Sequence, residues 1–169
     1  ISLGVAVEEQ TLAWSADEQD HLLIGGREED FSVLGFSASM AFQGQAVFVG
    51  YAITAEEHDY DSLAGQKELR RSRWVAIAYR YEPMDDEGQS QWAEDRRWTD
   101  AASLTTKAKW AQDCGAAALL LVNPPSQDAG GSLRSARETS FEAEIDIPVF
   151  QIRSDVFVEL LEASGRDAH

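Results

Sequence analysis

The sequence contains few of the residues from which disulfide scaffolds, membrane spans and metal centres are built. Its single cysteine, Cys114, excludes a disulfide within the chain and leaves the redox compartment open. No apolar run approaches the ~20 residues that span a bilayer, and no basic segment followed by an apolar one indicates a signal peptide in this fragment. Because the chain starts with Ile1 rather than Met, we expect it to be part of a longer protein. The three histidines, His21, His58 and His169, limit the metal sites that it can form.

Positive charge is scarce relative to negative charge. The 169 residues include 14 Lys and Arg against 30 Asp and Glu, which gives a formal net charge of −16 at pH 7. Such a field repels nucleic-acid phosphates and anionic lipid head groups, so we expect neither nucleic acid nor a membrane as a partner. A hydrophobic fraction of 44% is ordinary for a globular chain, and this length is sufficient for one domain with a buried core.

Hydrophobic periodicity predicts an α/β (α+β) domain with most of its strands in the first half and two helices in the second. The two clearest strands cover 46–53 and 74–81, and one or two further strands are predicted within 3–14. The pair Gly25-Gly26 predicts a hairpin turn. The other predicted elements are a helix over 101–114, a strand over 116–122, a loop over 126–144, a strand over 147–152 and a helix that Ser154 caps and Gly165 ends.

Local signals predict where the first helix begins and ends and which strand positions are buried. Thr99 or Asp100 can cap its N-terminus, and Gly115 suits the left-handed position after its last turn. Gly50 leaves room for a close neighbour or a bulge. The expected core-facing residues of the strand over 74–81 are Val75, Ile77, Tyr79 and Tyr81.

The acidic stretch over 56–61 is the one candidate metal cluster in the sequence. A zinc hydrolase needs three or more ligands, usually with a histidine pair or a histidine–carboxylate pair at strand or helix spacing. Here His58, Asp59 and Asp61 are candidate ligands, but no second histidine stands at a suitable spacing. The favoured interpretation is therefore a solvated acidic loop.

The sequence also offers two candidate nucleophiles, and neither is favoured. Ser37 lies in GFSAS, but a nucleophile elbow requires a helix directly after the serine, and no His–Asp pair is evident. Cys114 lies on the inward face of the predicted helix, where a small apolar role is typical. We therefore expect no catalytic residue in this chain.

We expect any recognition surface to lie in two loops, over 55–62 and 84–99, because loops on a rigid scaffold commonly bind partners. Trp92 and Trp98 in the second loop are interpreted as packing residues in preference to exposed contacts. The basic run over 70–73 is interpreted as a charged turn in preference to an anion site. The candidate interaction residues are Glu56, Glu57, Tyr60, Trp92, Arg96, Arg97 and Trp98.

Three stretches together resemble a known family: AVFVGYAITAEEHDYDSLAG, RWVAIAYRYEP and KAKWAQDCGAAALLLVNPP. Their order is similar to that of the protease-associated (PA) domain inserted in zinc aminopeptidases related to aminopeptidase Y and glutamate carboxypeptidase. The family pattern has a GYG strand, an acidic DYD loop, a GK-led strand and a Lys-x₃-Ala helix that runs into GA and an apolar strand. DFSVLGFSAS and IPVFQI also match, so the resemblance covers about 25–165. Ala52 replaces the last glycine of GYG, and RRSR stands where kGK is usual.

The resemblance implies a small open β-barrel or β-sandwich of short strands with flanking helices. It divides the chain into an N-terminal strand segment, 1–24, packed on a PA-like domain, 25–169. It implies no catalytic residue or cofactor in this chain, with zinc only in the flanking peptidase domain. The implied roles are substrate selection, covering of the active-site cleft, or protein–protein interaction. The implied partners are the flanking peptidase domain and peptide or protein substrates, and the implied location is secreted, periplasmic or cell-envelope.

Two alternatives from other functional classes stay open at this point. One is a standalone hydrolase that uses Ser37 or the cluster over 56–61. The other is an acidic cation-binding or adhesion module, which the net charge of −16 suggests.

Overall fold

The computed structural model describes residues 2–6, 11–15, 23–25, 30–65, 68–69, 73–95, 97–128, 133 and 144–163. Two α-helices lie within these residues, α1 (Leu104–Asp113) and α2 (Ser154–Ala163). The strands are β1 (Ser2–Ala6), β2 (Thr11–Ser15), β3 (Leu23–Gly25), β4 (Phe31–Val33), β5 (Phe42–Phe48), β6 (Thr54–Ala55), β7 (Tyr60–Asp61), β8 (Trp74–Tyr79), β9 (Leu119–Val122) and β10 (Val149–Ile152).

Eight of these strands form one mixed sheet in the order β3-β2-β1-β5-β8-β9-β10-β4. The central strands β5, β8, β9 and β10 are parallel to one another. Antiparallel strands flank them, with β1 beside β5 and β4 beside β10. β6 and β7 pair separately as a short antiparallel hairpin. The predicted mixed α/β class is confirmed.

Apolar side chains cover both faces of the sheet at β8, β9 and β10. On one face, Ala108 and Ala111 of α1 belong to a buried cluster with Trp74 and Leu119. On the other face, the buried residues Phe157 and Leu160 of α2 belong to a second cluster with Ile77 and Leu120. β8, β9 and β10 are buried on both sides, which is typical of parallel strands covered by helices.

β8 shows how this burial differs from the prediction. Val75 and Ile77 face the α2 side as buried residues, but Trp74, Ala76 and Ala78 are fully buried on the α1 side. Tyr81 lies beyond the end of the strand. The prediction of a single core face was therefore incomplete, because both faces of this strand belong to the core.

The strand predicted over 46–53 was misplaced. β5 covers Phe42–Phe48, and the chain then turns, with φ values of +69° at Gly50 and +53° at Ala52. The alternation of apolar residues continues past the strand because Val49 and Ile53 are buried in the turn. The alternation of apolar residues at these positions therefore reflects burial and not an extended backbone.

The Gly25-Gly26 hairpin was also wrong. β3 pairs with β2, whereas β4 pairs with β10, so these two strands lie at opposite edges of the sheet. Gly26 itself lies outside the described residues. The long-range pairing of each strand overrides the local turn signal, as is common for short strands. Within 3–14, the chain forms two short strands, β1 and β2.

Other boundaries differ from the predictions by a few residues. β8 ends at Tyr79, β9 begins at Leu119, β10 begins at Val149, and α2 begins at Ser154. The 3₁₀ turn Pro125–Gln127 overlaps the start of the loop predicted over 126–144. Most of the remainder lies outside the described residues, as does Gly165.

Of the two predicted signals for the ends of α1, the one at the C-terminus is confirmed and the one at the N-terminus was wrong. α1 begins after Ser103, whose side chain makes no capping hydrogen bond. The Thr99 hydroxyl accepts a hydrogen bond from the Ala101 N–H at 3.3 Å and so caps a 3₁₀ turn that precedes α1. At the other end, Gly115 has φ +82° and its N–H bonds to the Gln112 carbonyl at 2.9 Å. The prediction for Gly115 is confirmed, since a left-handed glycine after the last turn satisfies the free carbonyls.

Candidate functional site

The parallel strands β5, β8 and β9 end at the same edge of the sheet, and the segments that follow them meet there. The Tyr79 N–H donates to the Gly50 carbonyl at 2.7 Å, and the Arg80 N–H donates to the Val122 carbonyl at 2.9 Å. In open α/β sheets, ligands bind in the crevice outside the carboxyl ends of the strands. A binding surface is therefore expected at this edge.

The two loops predicted as recognition surfaces contact each other at this edge. The His58 ring stacks on the Trp92 ring, with centroids 4.6 Å apart and an interplanar angle of 3°. Tyr60 meets Trp92 edge-on at 5.5 Å and Tyr51 at 6.4 Å. We call His58, Tyr60 and Trp92 the aromatic cluster. It joins the loop over 55–62 to the loop over 84–99.

Local geometry explains how the first loop presents His58. Glu56–His58 form one 3₁₀ turn between β6 and β7, and Asp59, with φ +51°, reverses the chain after it. Asp and Asn tolerate this left-handed conformation better than most residues. Glu56, Glu57 and Asp59 are exposed, in keeping with a solvated acidic loop.

Two of the three candidate metal ligands, Asp61 and His58, are engaged in other contacts. Asp61 Oδ1 accepts hydrogen bonds from the Leu63 N–H at 3.0 Å and the Thr54 hydroxyl at 3.3 Å. His58 stacks on Trp92. Within the described ranges, no three His, Cys, Asp or Glu side chains come together as a metal site. His21 and His169 lie outside those ranges.

A cleft opens beside this surface, between the end of β8 and the start of α1. It has a volume of about 280 Å³, and its lining residues are Arg80, Tyr81, Trp98, Thr99, Asp100, Ala102, Ser103 and Leu104. The Trp98 ring, 36% exposed, packs on the Tyr81 ring at 4.6 Å. The Arg80 guanidinium, 6% exposed, lies 5.0 Å from the centre of the Tyr81 ring and donates to Asn123 Oδ1 at 2.8 Å. The cleft thus combines two aromatic rings with one buried cation.

The backbone at the cleft is strained. Tyr81 has φ +66°, a conformation that bulky residues rarely adopt. Strain of this kind persists only where the surroundings hold it, and it is concentrated at ligand-binding sites. The Arg80 and Tyr81 contacts above provide such surroundings.

Two fully buried charges, Glu82 and Lys107, lie beneath the surface. Glu82 accepts hydrogen bonds from the Thr99 N–H at 3.1 Å and from the hydroxyls of Ser90 and Thr99. Lys107 Nζ donates to the Tyr51 carbonyl and lies 5.8 Å from the centre of the Tyr51 ring. Burial lowers the pKa of Lys107 to about 7, and the charge of Glu82 raises it in part. Burial likewise raises the pKa of Tyr51.

The remaining predicted interaction residues are at or near the surface. Arg97 and Asp95 form an exposed ion pair, with Arg97 Nε 2.7 Å from Asp95 Oδ2. The hydrogen bonds from Arg97 lower the pKa of Asp95. Trp92 is half-buried, which fits packing, whereas Trp98 is among the exposed large apolar side chains. Arg96 and most of the basic run over 70–73 lie outside the described residues.

The two candidate nucleophiles occupy structural positions. The Ser37 hydroxyl accepts from the Val149 N–H at 2.8 Å and donates to the Ala38 carbonyl at 3.0 Å, so it ties the segment after β4 to β10. Cys114 is buried at the end of α1 among apolar residues.

Arg80, Glu82 and Lys107 were not predicted from the sequence. Lys107 had a signal: it lies three residues after Leu104 and four before Ala111, and this spacing places the three residues on one face of the helix. Glu82 and Arg80 had none, because a charged residue after a strand usually indicates that the chain has returned to solvent. Their burial depends on the loop that folds back over them.

No protein-family model matches the chain, and no curated protein matches it. In the described part of the chain, no helix has the length and apolar character needed to cross a membrane.

Proposed function

We propose that this chain is a non-catalytic PA-type domain of a zinc exopeptidase and that it binds peptide segments at the carboxyl edge of its sheet. The observation that supports the family assignment best is the contact made by Lys107. Lys107 belongs to the Lys-x₃-Ala stretch, its Nζ donates to the carbonyl of Tyr51 in GYA, and its pKa responds to the charge of Glu82 in RYEP. The three stretches that resemble the family therefore meet at one buried side chain.

The backbone of the GYA turn also supports this assignment. Gly50 and Ala52 stand where the family has two glycines, and both have positive φ values, +69° and +53°. Glycine adopts this conformation at the least cost. Ala52 thus replaces a glycine in sequence while it keeps the conformation that a glycine would favour.

The surface at this edge favours peptides that carry positive charge. Aromatic rings in the aromatic cluster and at Trp98 offer flat apolar contacts, and the faces of such rings attract cations. Among the described residues, the side chains around these rings include many acidic and few basic ones. The exposed acids are Glu56, Glu57, Asp59, Asp61, Asp85, Asp86, Glu87, Glu94, Asp95 and Asp100. Complementary charge increases the association rate and selects against anionic partners.

Peptide binding is tested by fluorescence anisotropy with a labelled Lys-rich peptide and with the same peptide carrying Glu in place of Lys. The wild-type domain should bind the first peptide and not the second, and affinity should fall as salt is added. Trp92→Ala should weaken binding about ten-fold or more, as expected for an aromatic residue at the centre of an interface.

Met40→Ala is the matched control. Met40 is an exposed apolar side chain, 48% accessible, at the amino end of β5 and so at the other edge of the sheet. The Met40→Ala variant should bind the Lys-rich peptide with the affinity of the wild type. Equal affinity for the cationic and anionic peptides, or equal losses in the two variants, would contradict the proposed site.

The absence of catalysis is tested separately by incubating the domain with aminoacyl substrates and zinc. No turnover above that of zinc alone is expected. Metal-dependent hydrolysis that Ser37→Ala or His58→Ala abolishes would establish the hydrolase alternative instead. By the same resemblance we infer that the parent enzyme is secreted, periplasmic or attached to the cell envelope.

A further inference from the structure

Glu82 and Lys107 are charged residues with no exposed surface. A buried charge costs free energy unless it is hydrogen-bonded and compensated by an opposite charge. Glu82 follows β8, and Lys107 lies on the inward face of α1. Neither side chain reaches the surface described above, yet each is bonded to backbone or side chains that form it.

Glu82 closes the loop that bears both tryptophans, and we call this loop, residues 90–99, the Trp loop. Its carboxylate oxygen Oε1 accepts from the Ser90 hydroxyl and from the Thr99 N–H at 3.1 Å. Both ends of the Trp loop therefore bind one oxygen atom and lie side by side. The second oxygen accepts from the Thr99 hydroxyl.

The Ser90 hydroxyl extends this arrangement to the aromatic cluster. Its oxygen also accepts from the N–H groups of Trp92 and Ala93, each at 3.0 Å. The bond to Glu82 thus fixes the direction of the Ser90 hydroxyl, and that oxygen fixes the backbone of Trp92. Thr99, bound at the other end, is the neighbour of Trp98 and lines the cleft.

Lys107 fixes the turn on the other side of the aromatic cluster. Its Nζ holds the Tyr51 carbonyl, and the Tyr51 ring contacts Tyr60, which contacts Trp92. The charge of Glu82 raises the pKa of Lys107 against the effect of burial. Lys107 therefore ties the turn after β5 to α1.

We propose that Glu82 is a positioning residue that holds the aromatic cluster and the Trp98 cleft in one fixed arrangement for a peptide to contact. The peptide part of this statement rests on the proposed function. The arrangement itself does not, because it can be observed without any ligand.

The ligand-free test uses fluorine NMR of protein labelled with 5-fluorotryptophan. Glu82→Met should shift or broaden the resonances of both Trp92 and Trp98. Ser90→Ala should affect the Trp92 resonance alone, and Thr99→Val the Trp98 resonance alone, because each removes one of the two hydroxyl contacts of the carboxylate. The resonance of Trp74, fully buried in the core beneath α1, should stay in place in all three variants.

Glu82→Gln tests the role of the acceptor atom. The amide keeps an oxygen for Ser90 and for the Thr99 N–H, so the Trp92 and Trp98 resonances should return towards their wild-type positions. Affinity for the Lys-rich peptide should fall ~10- to 100-fold in Glu82→Met, as expected for the loss of hydrogen bonds to a charged group, and should largely recover in Glu82→Gln.

The outcomes separate the two proposals. If Glu82→Met shifts Trp74 as strongly as Trp92 and Trp98, or shifts only one of the two loop resonances, the positioning role is wrong. If Glu82→Met does not fold, Ser90→Ala and Thr99→Val decide in its place. If each of these two variants then shifts the Trp92 and the Trp98 resonance alike, the proposal is overturned. If the resonances behave as expected but the wild type binds no peptide, the positioning role stands and the proposed function fails.

Discussion

Gly50 is the residue at which backbone conformation and side-chain contact combine most directly. Its φ is +69°, and a Cβ atom placed on it would lie 2.8 Å from the hydroxyl oxygen of Tyr60. Tyr60 in turn contacts Trp92. The predicted room for a close neighbour at Gly50 is confirmed, and the neighbour belongs to the aromatic cluster.

Gly50→Ala should therefore alter both the stability and the surface. Alanine in the left-handed region costs about 1–2 kcal/mol, and the new methyl group displaces the Tyr60 ring from Trp92. Urea denaturation measures the first effect, and tryptophan fluorescence of the folded protein measures the second. Gly65→Ala is the control, since Gly65 has φ +77° and its new methyl group would meet no atom within 4 Å. It should lose similar stability and leave the fluorescence unchanged; a fluorescence change in both variants would contradict the contact.

Lys107 should make stability depend on pH in a direction unusual for a paired lysine. Burial lowers its pKa from 10.5 to about 7. Between these values the unfolded chain binds a proton that the folded protein does not, so this residue's contribution to the free energy of unfolding increases as pH rises. Below about pH 7 both states are protonated and the contribution is at its lowest. The change across the window should be on the order of a few kcal/mol.

Lys107→Met should remove this slope. Urea unfolding of wild type and variant at several pH values between 7 and 10 measures it, and the difference between the two curves isolates Lys107 from other titrating groups. Lys109→Met, at an exposed position of the same helix, should keep the wild-type slope. A wild-type curve parallel to that of Lys107→Met would show that the ammonium group is hydrated in the folded protein.

At the scale of elements, the sequence predicted the strands and helices well but placed several boundaries incorrectly. The spacing of apolar residues in α1, α2, β8 and β9 reflects their burial in the sheet or against it. That spacing therefore predicted these four elements correctly. The strand over 46–53 was misplaced because Val49 and Ile53 are buried in a turn, and period alone cannot separate a buried turn from a strand. The Gly25-Gly26 signal failed because β3 and β4 pair with strands distant in sequence.

The candidate site was predictable in part. Both loops were identified, since they follow clear strands and are rich in charged and aromatic residues. Their contact through His58 and Trp92 was not, because the two residues are far apart in sequence and no local pattern pairs them. Glu82 was missed for the same reason, as its partners Ser90 and Thr99 become neighbours only when the Trp loop closes.

The packing of α1 gives a prediction at this scale. Ala108 is fully buried against the sheet, and Ala111 beside it is equally buried, so the helix approaches closely. Ala108→Leu should overpack this contact and cost about 1–3 kcal/mol. Thr106→Leu, exposed on the same helix, should stay within about 0.5 kcal/mol of the wild type. Urea denaturation compares the two, and a neutral Ala108→Leu would mean that α1 can move away from the sheet.

At the scale of the whole molecule, the net charge of −16 is a source of self-repulsion. Salt shortens the screening length from about 30 Å at 0.01 M to about 8 Å at 0.15 M, so the melting temperature should rise by a few degrees over that range. Calcium chloride at matched ionic strength tests the cation-binding alternative. Equal melting temperatures in the two salts and no saturable heat in calorimetry indicate diffuse screening. A saturable heat with calcium would instead favour a cation-binding module.

The pairing of β1 with β5 has a consequence for how the chain can be divided. β5 is seven residues long, and β1 covers the side that β8 does not. A chain that begins at residue 25 would leave that row of backbone N–H and C=O groups open, and open strand edges recruit other chains. We expect such a truncated protein to self-associate in light scattering, and Gln45→Lys on the exposed edge to reduce this. A monodisperse truncated protein would show that β5 needs no cover. If it aggregates, the first two strands prevent polymerisation of the intact chain by covering the open edge of β5.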